Sequence, residues 1–369
     1  MTQPDAIIIG GGLHGCSTAL HLCMKGMKPV LIEKDYAGRH ASGVNAGGVR
    51  QLMRDLAEIP LSIRSMGIWE NIADLVDDEC AFECHGQVLV AENAADFQSC
   101  VERIETLKRH GFTHEELISA DEVRALLPAV AETCTGGIVS RRDGAAQPAR
   151  TTSAFRRKAE QMGARIIEGV TAGNARYKAG LWHVDAGSET FCAPILIIAA
   201  GAWGGAFADQ FDEPVPIKPV APMLMITSRV PHFIDPVVIL RSRKLSFKQF
   251  ANGTVLIGGG YLGVADPATN TTLLNWRKLH ESARTVFDLF EVMRDATIVR
   301  AWAGIEGKMA DDLPVLGKSS RHEGLFYQFG FSLHGFQLGP AAGAVMAELV
   351  AEGRTPTDIS GLSMSRFHP

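Results

Sequence analysis

Gly10, Gly12 and Gly15 fall at G-x-G-x-x-G spacing immediately after the apolar run Ala6 to Ile9, and a second apolar run, Pro29 to Ile32, ends on the acid Glu33. In that order the residues make a site for a dinucleotide. The first glycine permits the tight turn, the second lets the backbone approach a pyrophosphate, and the third lets the following helix pack on its sheet. The N–H groups around Leu13 and His14 open that helix, and its dipole favours phosphate charge. Glu33 stands about twenty residues beyond the glycines, where an acid takes ribose hydroxyls. A 2′-phosphate would be repelled there, which disfavours NADP and leaves FAD and NAD.

Other chemistry-bearing clusters are thinner. Cys80, Cys84 and His85, in CAFECHG, make half of a metal site, yet no second half with matching spacing follows, and structural zinc needs four ligands. We assign no metal. The seven cysteines are odd in number and scattered, which fits reduced thiols better than a disulfide framework. They are not clustered to ligate an iron–sulfur centre, so any such centre would sit on another polypeptide.

The elements that must position these residues are partly legible. Ala6 to Ile9 is a short buried strand, Ser17, Ala19, Leu20 and Leu22 continue a helix that Gly26 ends, and Pro29 to Ile32 is a second, parallel strand. Runs near Val88 to Ala91, Met223 to Thr227, Val238 to Leu240 and Val255 to Ile257 predict an antiparallel substrate-binding sheet. Helices at Ala95 to Arg109 and Thr272 to Phe290 would cover it. Helical periodicity also begins at Leu52, Ala154 to Met162 reads as a helix, and Arg165 to Val170 as a strand. With 369 residues, 46% of them hydrophobic, two domains are expected. The fold class is α/β: a discontinuous Rossmann-like domain from residues 1–84, 143–215 and 311–369, plus an α+β substrate domain, mainly an antiparallel sheet, from 85–142 and 216–310.

A formal net charge of -5 with both signs interspersed argues against a nucleic-acid partner. The N-terminus lacks a basic segment followed by a long apolar one, and the longest apolar stretch, around Ile195, is too short and glycine-rich to span a membrane. The sequence reads as a cytoplasmic protein with a small-molecule partner.

After Glu33 the chain departs from a simple nicotinamide domain. DYAGRHASGVNAGGVRQLMRD, residues 35–55, is a glycine-rich loop with three arginines, and in combination with the dinucleotide unit it resembles the D-amino-acid oxidase and sarcosine oxidase superfamily of FAD enzymes. AAGAWGG (199–205), DDLPVLG (311–317) and GFSLHGFQLGPAAGAVMAELV (330–350) are similar to that superfamily's second glycine loop, its D-x-x-P-x-x-G segment and its G-F-S-G-H-G-F motif. The resemblance covers essentially the whole chain. It implies FAD contacts at Lys34, Arg39, Ser42, Asn45, Ala46, Gly47 and Gly48, at Val170 on the adenine side, at Ala200, Gly201 and Trp203, and at Gly304, Gly330, Leu333, His334, Gly335, Phe336 and Gln337. The last helix N-terminus would face the pyrimidine edge of the flavin.

Within the superfamily, RHASGVNAGGVRQ (39–51), LSFKQFANGTVLIGGG (245–260) and RAWAGIEGKMADDLPVLG (300–317) are most similar to beta subunits of opine and D-hydroxyproline dehydrogenases. Where the monomeric sarcosine oxidases attach FAD through a cysteine, this chain has Gly304, so FAD is expected to be noncovalent. Where they place an oxygen-activating lysine, it has Leu256, which favours a dehydrogenase over an oxidase. Gln147 and Pro148 stand where a related subfamily binds FMN through a histidine; noncovalent FMN at a subunit interface stays open.

The resemblance implies hydride transfer from a carbon next to nitrogen of an amino or imino acid to flavin N5. It also implies a partner alpha subunit carrying further redox cofactors. Arg50 is the expected carboxylate clamp, Gln337 replaces a lysine used as a second carboxylate donor, and His334 either touches the flavin edge or braces its loop. Tyr261 and Trp302 are candidate cavity walls, and Arg241, Arg243 and Lys248 lie near the predicted sheet, facing either flavin or solvent.

Overall fold

Strands buried on both faces read as unbroken apolar runs because helices cover both sides of a parallel sheet. That is how Ala6–Ile9 and Pro29–Ile32 sit in the computed structural model, which describes residues 3–368. They pair in parallel, Ala6 opposite Pro29, at the centre of a six-stranded sheet. Its order is Val315–Lys318, Leu325–Phe329, Ile195–Ile198, Ala6–Ile9, Pro29–Ile32, Arg165–Ile167, parallel except for the first pair. The helix Leu13–Met24 follows the first strand, and the C-terminal helix Gly335–Glu352 packs on it, with Ser17 Oγ donating to the Pro340 carbonyl at 3.1 Å.

A second, larger sheet has eleven strands. Gln87–Ala91 runs parallel to Val237–Leu240, and its other named pairings are antiparallel. Its longest strand, Ile217–Thr227, pairs along its length with Val255–Gly258, Leu262–Asp266, Ile298–Ala303 and Glu306–Met309. One face buries Phe247, Val255 and Ile257 against Val286 and Phe290 of the helix Trp276–Leu289 and the residue after it. The opposite face turns toward the glycine turns of the first sheet. Among the described residues no helix is long and apolar enough to cross a membrane.

Local chemistry moves several boundaries. The helix expected from Thr272 starts at Trp276, because Thr271–Leu273 pairs with Leu262–Asp266 and Asn275 caps the helix through the Lys278 N–H. The helix expected from Ala154 begins at Pro148, since proline is well suited to a first helical turn. Residues 51–58 are turn rather than helix: the Asp143 carboxylate takes the N–H groups of Gln51 and Leu52, both at 2.9 Å, and the helix starts at Ile59. The strand from Arg165 stops at Ile167. A three-stranded sheet, Ala172–Lys178, Leu181–Ala186 and Glu189–Ala193, has no counterpart in the sequence reading.

Candidate functional site

Between the two sheets lies a cavity of about 600 Å³, within the range of ligand sites. Gly10, Gly12, Leu13, His14, Glu33 and Lys34 line it, with Arg39, Ser42, Asn45, Ala46, Gly48 and Arg50 from the following loop. Ala200, Gly201 and Trp203 face it from the second glycine loop, and Gly304, Gly330, Leu333, His334, Gly335 and Phe336 from the C-terminal segments.

Four of the cofactor contacts expected from the sequence are not on this wall. Gly15 packs the first helix onto its strand: a Cβ there would lie 1.9 Å from the Gly10 carbonyl oxygen. Gly47 is turned toward Ala146 and Lys248. Val170 donates its N–H to the Glu33 carbonyl at 3.0 Å, while Thr171 and Ala172 reach the cavity instead. Gln337 is fully buried on the helix face toward Ile59–Trp69, where its Nε2 donates to the Ser62 carbonyl at 2.9 Å. It therefore supports the wall from behind. Tyr261 and Trp302 also lie off the wall, and the Trp302 indole N–H donates to the Val44 carbonyl.

At the glycine turn, Gly10 has φ +112° and a Cβ would meet the Ala199 carbonyl oxygen at 2.4 Å. Only glycine holds this turn without strain. Glu33 is buried, and its carboxylate accepts the Gly11 N–H at 2.6 Å and the Asp35 N–H at 2.9 Å. Ser42 Oγ accepts the Leu13 N–H at 2.9 Å. Lys34 Nζ lies 3.2 Å from the Trp203 ring centroid and also donates to Asn270. Trp203 in turn donates to the Pro267 carbonyl at 3.2 Å, so the hairpin tip 267–270 is fastened to the cavity rim. His14 stacks on Phe331 at 3.8 Å, and its Nε2 is buried with no partner. Burial pushes this imidazole down to about 3, against a backbone contact with Gly335, so it is neutral.

The loop that resembles a substrate-binding segment supplies two guanidiniums. Arg50 Nη1 donates to the Leu52 carbonyl at 2.8 Å. Arg54, four residues on, also lines the cavity and is 2% exposed, and sequence reasoning missed it although it stands in the same quoted loop. Its Nε donates to the Arg50 carbonyl at 3.0 Å and its Nη2 to the His334 carbonyl at 3.2 Å, while Nη1 is buried without a partner. Burial, then the charge of Arg50, pushes Arg54 down to about 9, so it still carries its charge at neutral pH. An unmatched buried donor beside a second cation is suited to a carboxylate.

His334 Nδ1 lies 3.1 Å from Glu58 Oε1. Burial and the neighbouring Arg54 push His334 down to about 4 although Glu58 opposes this, so the ring is neutral and donates Nδ1–H to the carboxylate. The bracing contact is thus present, and the ring also reaches the cavity. Gln87, 1% exposed, contributes a cavity-lining amide whose Oε1 has no partner, and Glu306 adds a carboxylate. Gln87 stands in no quoted stretch, and Glu306, inside 300–317, was passed over for Gly304 two residues before it.

Three further cations separate. Arg243 lines the cavity but pairs with Glu92 and Asp288, and Arg241 turns to Ser99. Lys248 is paired across strands with Leu256, so the two share a face of the sheet. It is 5% exposed and lines a separate recess with Glu83, His85 and Phe250, where burial pushes it down to about 7 against the pull of Glu83.

Residues 5–349 match the family model described as DAO, FAD dependent oxidoreductase. The chain is 24% identical to sarcosine oxidase subunit beta of Rhodobacter capsulatus, over 95% of this chain and 86% of that protein. It is 23% identical to glycine oxidase of Geobacillus kaustophilus, over 98% and 97% respectively. Among solved structures, L-proline dehydrogenase from P. horikoshii superposes with a TM-score of 0.91 at 24% identity, covering 99% of this chain and 98% of that one. L-amino acid deaminase from Proteus myxofaciens gives 0.90 at 20% identity, covering 100% and 94%. These structural likenesses show the fold.

Proposed function

The chain belongs to the DAO family of FAD-dependent oxidoreductases, and from that premise we propose that it oxidises the carbon–nitrogen bond of a secondary amino or imino acid: an opine, D-hydroxyproline or a sarcosine-like compound. Enzymes of this family bind FAD, and the residues present fit that group. A glycine turn that a Cβ would block, a helix N-terminus and a buried acid offer a place for its pyrophosphate and ribose. When bound, FAD supplies the acceptor for a hydride. The protein's part is then to hold the amino acid, neutralise its carboxylate and exclude water.

The observation that carries the reading is Arg54 Nη1, a buried donor with no partner among the described residues, on a side chain that lines the same cavity as Arg50 and the glycine turn. A carboxylate oxygen would satisfy it. The relatives' names, sarcosine oxidase, glycine oxidase and L-proline dehydrogenase, support an amino acid as the ligand.

The reading further holds that electrons leave to an acceptor or to an alpha subunit with its own redox cofactors, that the setting is cytoplasmic, and that residues 1–84, 143–215 and 311–369 form the FAD-holding unit. The name "subunit beta" among the relatives supports the partner, the seven free cysteines support the compartment, and a sheet drawn from three chain segments supports the division. Nothing supports an added FMN at a subunit interface, and the proposal is confined to FAD. Lys248, buried across from Leu256, is the observation favouring the competing reading of a self-sufficient oxidase that makes hydrogen peroxide.

Anaerobic titration of the purified flavoprotein with octopine, nopaline, D-hydroxyproline, sarcosine and proline tests the reading. Bleaching of the flavin by one of them is expected. A flavin that none of these reduces would leave a non-catalytic flavin subunit as the better account.

A further inference from the structure

Glu306 is a cavity carboxylate with no ion-pair partner among the described residues. Its Oε1 accepts the Leu333 N–H at 2.7 Å, and Lys308, two residues on, pairs with Asp312 instead. The turn it holds is a strained one. Ser332 and Leu333 have φ of 50° and 72°, a left-handed conformation disfavoured for non-glycine residues. Glu306 grips this turn through the Leu333 N–H, and Arg54 grips it through the next residue's carbonyl, that of His334, at 3.2 Å. A carboxylate and a guanidinium therefore hold the same turn from two sides, and both line one cavity.

An amino acid carries the complementary pair, a carboxylate and an ammonium separated by one carbon. We propose that, with the carboxylate held by Arg50 and Arg54, Glu306 receives the substrate's amine and takes its proton. The inference rests on the function proposed above. An ammonium has no lone pair to assist departure of a hydride from the neighbouring carbon, so the proton must leave first. One N–H bond breaks, its electron pair stays on nitrogen, and an O–H bond forms on the Glu306 oxygen not held by Leu333. The carboxyl later returns the proton to solvent.

The surroundings permit this at neutral pH. Burial pushes Glu306 up to about 7, opposed by the Leu333 N–H and by Lys308, and a base near the working pH is the effective kind. The other ionisable groups about the turn are Arg50, Arg54 and Glu58 on one side, His334 held neutral, and Lys218 opposite Lys308 on the paired strand. Below its pKa the carboxyl is already protonated and cannot accept. Reduction should therefore slow as pH falls through about 7.

Glu306→Gln separates proton transfer from bracing, because its amide oxygen can still accept the Leu333 N–H. Wild type and variant holoproteins are compared by flavin content, by infrared titration of carboxyl groups, and by stopped-flow anaerobic reduction across pH with the amino acid panel named above. The variant should keep its flavin, lose a carboxyl titrating near pH 7, and be reduced roughly 100-fold more slowly at neutral pH. Its rate should then rise only as the substrate's ammonium loses its proton to solvent at higher pH. A variant with the wild-type rate and pH profile overturns the proposal, as does a wild-type carboxyl titrating at the ordinary value of about 4. If Glu306→Gln fails to hold flavin, Glu306→Asp keeps a titrating group, and a pH-independent rate in it overturns the proposal. If no amino acid reduces the wild type, the function proposed above fails instead, and the titration alone decides whether Glu306 can hold the proton.

Discussion

Arg54 shows how a single side chain can be both buried and incomplete. Its Nε and Nη2 are spent on the carbonyls of Arg50 and His334, and Gln337 Oε1 stands 3.4 Å from Nη2, so the guanidinium plane is fixed before a ligand arrives. Lysine at this position keeps the charge but loses the planar fork. Arg54→Lys should therefore raise the substrate concentration for half-maximal anaerobic reduction roughly 10-fold or more, the scale of one charged hydrogen bond. An unchanged concentration would remove Arg54 from the substrate clamp. His14 offers a second test. Its folded pKa, about 3, lies below the ordinary 6.5, so as pH falls the unfolded chain binds the proton first and the folded state loses stability throughout that window. Between pH 7 and pH 5 the loss from this one group should be about 2 kcal/mol. His14→Phe, which keeps a ring against Phe331, should flatten that part of the curve in urea titrations of the flavoprotein.

Elements were legible in the sequence where local chemistry alone decides them. The glycine spacing, the strands Ala6–Ile9 and Pro29–Ile32 and the acid Glu33 needed no tertiary information, because turn, strand and helix are contiguous there. The turn at 51–58 was hidden, since the Asp143 carboxylate that replaces its helical bonding comes from far along the chain. Gln337 was misplaced for a similar reason: motif spacing gives its helix but not which face meets Ile59–Trp69. Gly304 was read as the loss of a thiol, and the structure adds a steric reason. A Cβ there would approach Val44 Cγ2 to 2.2 Å, where the strand Ile298–Ala303 ends against the short helix Ala41–Val44. Gly304→Ala should cost roughly 1–3 kcal/mol and weaken flavin retention. Val44→Ala in the same chain should restore much of both, measured as melting temperature and flavin content. Absence of rescue would place the strain elsewhere.

At the scale of the whole molecule the question is where the electrons go, and it turns on whether Lys248 serves the cofactor cavity. The eleven-stranded sheet brings it beside Leu256 on the face toward the first sheet, a juxtaposition that no linear reading of either strand reveals. Its amine, however, lies against Gly47 and Phe250 in the recess of Glu83 and His85, off the wall of the main cavity. Gly47 and Ala146, whose backbones are hydrogen-bonded at 2.9 Å, lie along that boundary. A charge set behind backbone acts weakly on an electron acceptor in the cavity, whereas one facing it would help dioxygen accept electrons. Lys248→Met should therefore leave the rate of flavin reoxidation in air unchanged, and that rate should stay slow relative to reduction. An oxidase would behave differently. Its reoxidation would be fast, would decline as pH rises through about 7 while Lys248 loses its proton, and would collapse in Lys248→Met. Stopped-flow reoxidation of the reduced protein at several pH values, wild type beside variant, thus decides between a chain that hands electrons to a partner and one that disposes of them alone.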